Sequence, residues 1–156
     1  MDIRHIHKTH NVNLCLYHLV CPVKYRKKVF RFTELDEELR RICVEEIESR
    51  PFEITFHEIG TDLDHVHFLI QSVPTKSPKQ ITQTIKSIIA KWILKKYSDL
   101  LKEDLWTREF WTDGYYISTV WPHWNAHTIE RYIKNQWRAE EYKRLHISEE
   151  QMQLGF

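Results

Sequence analysis

Glycine is scarce, with three in 156 residues, and a glycine-rich loop cradling phosphates is therefore disfavoured. Long apolar runs are missing: none approaches the roughly 20 residues needed to cross a bilayer. The start of the chain, Met1-Asp2-Ile3-Arg4-His5, has no apolar stretch of the kind a signal peptide needs. A cytoplasmic protein without a membrane partner is expected. Cysteines are few and odd in number. Cys15, Cys21 and Cys43 stand outside metal-ligand spacing, which disfavours a disulfide framework or a zinc knuckle and predicts buried thiols. Five prolines, with 42% hydrophobic and 29% charged residues, describe a globular chain and not a disordered one. At this length one domain buries roughly two-thirds of its unfolded surface.

The net charge of +1 carries no information about nucleic acid until it is mapped, because patches decide binding. Lys24, Arg26, Lys27, Lys28 and Arg31 form a basic run without an acid. Lys76, Lys79, Lys86, Lys91, Lys95 and Lys96 form a second. Acids collect at Glu34, Asp36, Glu37, Glu38, Glu45, Glu46 and Glu48. Taken alone, the basic runs are equally compatible with solvated surface and with phosphate contact.

Asn11 to Tyr25 (NVNLCLYHLVCPVKY) is rich in leucine, β-branched and aromatic residues in rough alternation, predicting a long strand. Thr33, with Asp36 three residues on, predicts the N-cap of a helix carrying Leu35, Leu39, Ile42, Val44 and Ile47 and ending near Ser49. Phe52, Ile54, Phe56 and Ile59 predict a second strand, joined through Gly60 to Leu63 as a hairpin to a third, His65 to Val73. Ser77 and Pro78 open a long helix that buries Ile81, Ile85, Ile88, Ile89, Trp92 and Ile93 and reaches about Tyr97. After an irregular link, Phe110 to Trp121 predicts a fourth strand, bent at its start by Asp113-Gly114. Ile129, Tyr132, Ile133, Gln136 and Trp137 set the period of a last helix. The order is βαββαβ plus a C-terminal helix. It predicts an α+β, ferredoxin-like antiparallel sheet with helices on one face. Residues 1–156 form one domain in this reading, with 1–10 and 146–156 as loose termini.

Chemistry concentrates in two places. In Asp64-His65-Val66-His67-Phe68-Leu69-Ile70, the period of two turns His65 and His67 to one sheet face while Val66, Phe68 and Ile70 enter the core. Two imidazoles on one rigid face can share a divalent cation. They can equally be two satisfied structural histidines, and His5-Ile6-His7 repeats the spacing without an apolar strand around it. On the last helix, Tyr132 and Gln136 are four apart and share a face. The Gln136 amide oxygen is a candidate third ligand, which leaves Tyr132 within reach of whatever the cation holds. Tyr132 can instead be a core aromatic, and Tyr115 and Tyr116 are rival nucleophiles in a strand-like segment.

The runs YHLVCPVKYRKKVF (Tyr17 to Phe30), DHVHFLI (Asp64 to Ile70), FWTDGYYISTV (Phe110 to Val120) and TIERYIKNQ (Thr128 to Gln136) together resemble the single-tyrosine HUH transposases of small insertion sequences, the single-stranded DNA transposases that include REP-associated tyrosine transposases. HUH denotes histidine, hydrophobic residue, histidine. The blocks span almost the whole chain in family order. It departs from the family at Cys21-Pro22-Val23, where Trp-Cys-Pro is common, and at Trp121, where glycine is common. The resemblance implies that His65, His67 and Gln136 bind the metal and that Tyr132 attacks DNA, leaving a 5′-phosphotyrosine and a free 3′-hydroxyl. It also implies hairpin recognition and a homodimer with composite active sites.

These residue types suit the reaction. A divalent cation neutralises charge that builds on a phosphodiester under attack. A free tyrosine is ionised only about one part in a thousand at pH 7, a deficit of roughly 4 kcal/mol that a nearby cation can offset. Two nitrogens and one amide oxygen suit Mg²⁺ or Mn²⁺. Lys24, Arg26, Lys27, Lys28 and Lys86 are the expected phosphate contacts on single-stranded DNA, with some of the six Trp and seven Tyr stacking on bases. Two other readings stay open: a non-catalytic single-stranded nucleic-acid or hairpin binding module, and a metal-dependent phosphodiesterase using water.

Overall fold

The chain divides after Val120 into two units, and the computed structural model describes residues 3–120, within the first of them. The expected last helix, with Tyr132 and Gln136, lies outside the described residues, as does the expected loose tail.

Strands β1 (Ile6–His7) and β2 (Val12–Asn13) form a small antiparallel ribbon, where residues 1–10 were expected to be loose and Asn11 to Tyr25 to be one unbroken strand. The main sheet contains β3 (Cys15–Pro22), β4 (Thr55–Asp62), β5 (His65–Ser72) and β6 (Tyr116–Thr119) in the order β4-β5-β3-β6, antiparallel throughout. Helix α1 (Thr33–Ile42) falls between β3 and β4, and α2 (Pro78–Leu101) between β5 and β6. This is the ferredoxin-like arrangement, with the third main strand lying between the first and second.

Period-two alternation decides which face each residue takes. Leu19 and Cys21 of β3 and Val66, Phe68 and Ile70 of β5 are fully buried against Leu35, Leu39 and Ile42 of α1 and Ile81, Ile85, Ile89 and Ile93 of α2. The opposite face carries Leu16, His18 and Val20 of β3 and His65, His67 and Leu69 of β5. Burying one such side chain contributes roughly 1.5–3 kcal/mol, so the strand bearing the histidine pair is anchored by its own alternate residues.

Helix α2 begins as its sequence implies. The Ser77 hydroxyl accepts from the Gln80 amide at 3.1 Å, the Gln80 side chain accepts from the Ser77 amide at 2.9 Å, and Pro78 follows in the first turn. It runs past Tyr97, where φ −118° and ψ 23° interrupt the helical geometry. Thr33 is the first helical residue of α1 and not its cap, for Phe32 occupies that position without a side-chain cap bond. The helix then continues as a π-helix, Cys43–Glu48. The wider turn carries the buried face from Ile42 to Ile47, five residues on, while Val44, two residues after Ile42 and so roughly opposite it, is 55% exposed where the sequence reading buried it.

The fourth main strand is shorter than Phe110 to Trp121. Lys24 donates its amide to Phe110 O at 2.9 Å, Thr112 donates to Pro22 O at 3.1 Å, and an isolated bridge joins Val23 and Trp111. Asp113-Gly114 then breaks the pairing before β6 resumes it. Cys21 and Cys43 are buried free thiols and Cys15 is half-buried. Burial pushes the Cys21 thiol up to about 12 and raises Cys43 as well, which keeps both protonated.

Candidate active site

The histidines of β5 gain a third partner from β3. Register pairs Val20 with His67 and His18 with Leu69, which makes His18 and His67 diagonal neighbours on the same face. Nε2 of His65 and Nε2 of His67 stand 3.0 Å apart, and Nδ1 of His67 lies 3.2 Å from Nε2 of His18. The His18 and His67 planes differ by 9° with centroids 5.5 Å apart. At that centroid distance a 3.2 Å nitrogen contact requires the rings to meet edge to edge, as a hydrogen bond needs. Tyr116 of β6 lies edge-on to His18, with centroids 6.1 Å apart.

Asp64 holds the other end of the cluster. Its Oδ1 is 2.7 Å from Nδ1 of His65, while its Oδ2 accepts from Nε and Nη2 of Arg26 at 3.1 and 3.0 Å. A carboxylate can only accept, so Nδ1 of His65 carries a proton, and in the singly protonated ring the lone pair is at Nε2. Burial works against the Asp64 charge, yet hydrogen bonds from His65 and Arg26 hold its carboxyl below the usual range. Burial lowers His18 to about 4. Burial, helped by the neighbouring His65 and His67's contact with His18, lowers His67 to about 3. Both rings are therefore neutral at neutral pH, the form in which imidazole binds a metal.

An octahedral cation with ligand distances of roughly 2.1 Å sets adjacent donors roughly 3.0 Å apart, and the two Nε2 atoms have that separation. His65 and His67 therefore fit a divalent cation. Among the described residues no group of three His, Cys, Asp or Glu side chains that could hold a metal ion is found, so the pair would offer two ligands and any further ones would come from elsewhere.

Arg26 belongs to a strained turn. Tyr25 and Arg26 both have φ of 54°, a left-handed conformation costing roughly 1–2 kcal/mol per residue. Its surroundings hold it there. Val23 donates to Asp64 O at 2.8 Å, Lys24 pairs with Glu109 at 2.9 Å, and Arg26 grips Asp64. The turn presents the Tyr25 ring nearly parallel to that of Trp106, at 5° and 6.0 Å between centroids. Trp106 is 71% exposed.

The expected phosphate contacts thus occupy different settings. Lys28 is exposed and Lys27 half-buried. Lys24 and Arg26 are engaged with carboxylates, and Lys86 donates to Thr112 O at 2.6 Å and Asp113 O at 3.2 Å. Burial lowers the Lys86 ammonium. A groove of about 970 Å³ runs between α2 and residues 108–115, bordered by Lys76, Lys79 and Arg108. None of the three clustered histidines lines it.

Sequence reasoning did not single out His18 or Asp64. His18 carried one signal, a polar residue between Leu16 and Val20 on an otherwise apolar strand face, but which residue it meets depends on strand register. Asp64 carried none beyond its place before His65.

Residues 11–136 match the family described as "Transposase IS200 like". Two relatives, the transposases for insertion sequence element IS200 of Salmonella typhimurium (strain LT2) and Salmonella typhi, are each 31% identical over 125 residues, covering 78% of this chain and 76% of theirs. A crystal structure described as a transposase from Deinococcus radiodurans R1 shares the fold, with a TM-score of 0.61 and 24% identity over 86% of this chain and 99% of that one.

Proposed function

The chain belongs to the IS200-like transposases, a family whose reaction is DNA strand transfer, and from that premise we propose that it cleaves and rejoins single-stranded DNA at the ends of an insertion sequence, through a covalent bond to Tyr132. The observation that carries this reading is the convergence of Nε2 of His65 and Nε2 of His67 at 3.0 Å while Nδ1 of each ring is bonded to another side chain. A divalent cation, Mg²⁺ or Mn²⁺, held there by His65, His67 and Gln136 would neutralise phosphate charge and favour the phenolate.

Tyr132 gives up its proton and its Oη forms a bond to phosphorus. The P–O3′ bond breaks, and the departing 3′ oxygen takes up a proton. The resulting 5′-phosphotyrosine keeps the energy of the phosphodiester, so a 3′-hydroxyl of another DNA end can reverse the exchange without ATP. Val66, Phe68 and Ile70 hold the histidine strand rigid behind the reaction.

On the DNA side, Lys27 and Lys28 are the basic-run residues whose ammonium groups face phosphate, whereas Arg26 serves the site through Asp64. Tyr25 and Trp106 supply an exposed aromatic pair for base stacking beside the same turn. Family membership supports hairpin-bearing single strands as the substrate and a homodimer with composite active sites.

A labelled single strand carrying the element's end, incubated with the protein and Mn²⁺ and run on a denaturing gel, tests the reading. A protein-sized covalent shift is expected, abolished by Tyr132→Phe with DNA binding retained. Continued cutting by Tyr132→Phe would instead identify a hydrolase that uses water, and binding without any cutting a non-catalytic module.

A further inference from the structure

The geometry points to His18 as a positioning residue for the cation site: it accepts a hydrogen bond from Nδ1–H of His67 and so selects the tautomer whose Nε2 lone pair meets that of His65. The inference rests on the proposed function and adds a residue to it. Imidazole that binds a metal through one nitrogen needs its proton on the other, and the partner of that proton fixes both tautomer and ring direction.

For His65 the partner is Asp64, at 2.7 Å from Nδ1. The corresponding place beside Nδ1 of His67 is taken by Nε2 of His18 at 3.2 Å, with the rings within 9° of a common plane. His18 is fully buried, and an imidazole with its proton on Nδ1 offers Nε2 as the acceptor. Without a cation the same three rings can pass hydrogen bonds the other way, from Nε2–H of His18 to Nδ1 of His67 and from Nε2–H of His67 to Nε2 of His65. From that arrangement loading has His67 and His18 exchange tautomers together, and a side chain that cannot accept at position 18 removes the acceptor that His18 offers to the Nδ1 proton.

The test is Mn²⁺ affinity of the full chain, read from the loss of the free-ion electron paramagnetic resonance signal. His18→Phe keeps a flat ring without an acceptor and is expected to weaken Mn²⁺ binding about 10- to 100-fold. His18→Asn restores an acceptor oxygen and is expected to recover most of that loss, which a purely space-filling role would not do. A folded His18→Phe that binds Mn²⁺ as the wild type does would overturn the inference and leave the proposed function intact. Wild-type protein that binds no Mn²⁺, or binds it equally after His67→Ala, would overturn both. Should His18→Phe fail to fold, ¹⁵N NMR of the wild-type imidazoles with Zn²⁺ as a diamagnetic probe decides the matter. A protonated, hydrogen-bonded Nδ1 on His67 in the loaded state is expected, and an unprotonated one overturns the assignment.

Discussion

The spacing of histidine, one residue, histidine occurs twice in this chain, at His5 and His7 and at His65 and His67, in two physical settings. His5 and His7 are exposed, and β1 is two residues long. The ribbon that holds them is tied down in part by Lys8 and Glu53 at 2.7 Å, both substantially exposed, a pair worth about 0–1 kcal/mol. His65 is 5% exposed and its strand is paired on both sides. Asp64 and His18 occupy the second nitrogens of its two rings. What distinguishes the second pair is the set of groups that hold its rings, and the spacing that both copies share is the lesser part of it.

The largest test of this contrast is chemical. His65→Ala or His67→Ala is expected to leave no detectable covalent adduct with single-stranded DNA, whereas His5→Ala with His7→Ala is expected to change adduct yield less than about twofold, since ligand loss removes charge neutralisation that exposed rings do not supply. Equal losses from both pairs on the same gel would erase the distinction. The next test is mechanical. Phe68→Ala, behind His65 and His67, is expected to cost about 3–5 kcal/mol of unfolding free energy, and Ile6→Ala, beside the other pair, less than about 1 kcal/mol. Denaturant titration measures both, and similar costs would remove the argument that a buried strand makes one pair rigid.

Smaller effects sharpen the contrast on the DNA side. Trp106→Ala, next to the strained turn that reaches Asp64, is expected to weaken single-strand binding by about 1–3 kcal/mol, with His10→Ala as the unaffected control. Fluorescence anisotropy would read it, and an unchanged Trp106→Ala would exclude the indole as a stacking surface. Lys28→Ala is expected to lower the slope of log affinity against log salt by about 0.7. A slope that stays the same would place Lys28 away from phosphate.

Much of the fold was legible because its signals are local. The capping box at Ser77, the alternation through DHVHFLI and the helical spacing of Ile81, Ile85 and Ile89 each use residues close in sequence. Val44 misled because an apolar residue two positions after Ile42 falls on the far side of the helix, and Ile47 keeps to the buried face only through one wide turn set by packing. The extent of the fourth strand misled because Phe110, Trp111 and Thr112 pair with the end of β3 separately from Tyr116–Thr119. His65 and His67 could be identified from strand alternation, yet nothing in their spacing separated them from His5 and His7.

The amino-acid order by itself determined the βαββαβ succession of the main sheet and its two helices, the family, and the side of the sheet on which His65 and His67 stand, because period and motif are properties of neighbouring residues. Only the tertiary structure brought His18, 49 positions away, to the ring of His67 and Arg26, 38 positions away, to the carboxylate of Asp64. Such contacts depend on strand register and on a backbone turn held against its own preference, and both are settled by packing across the whole sheet.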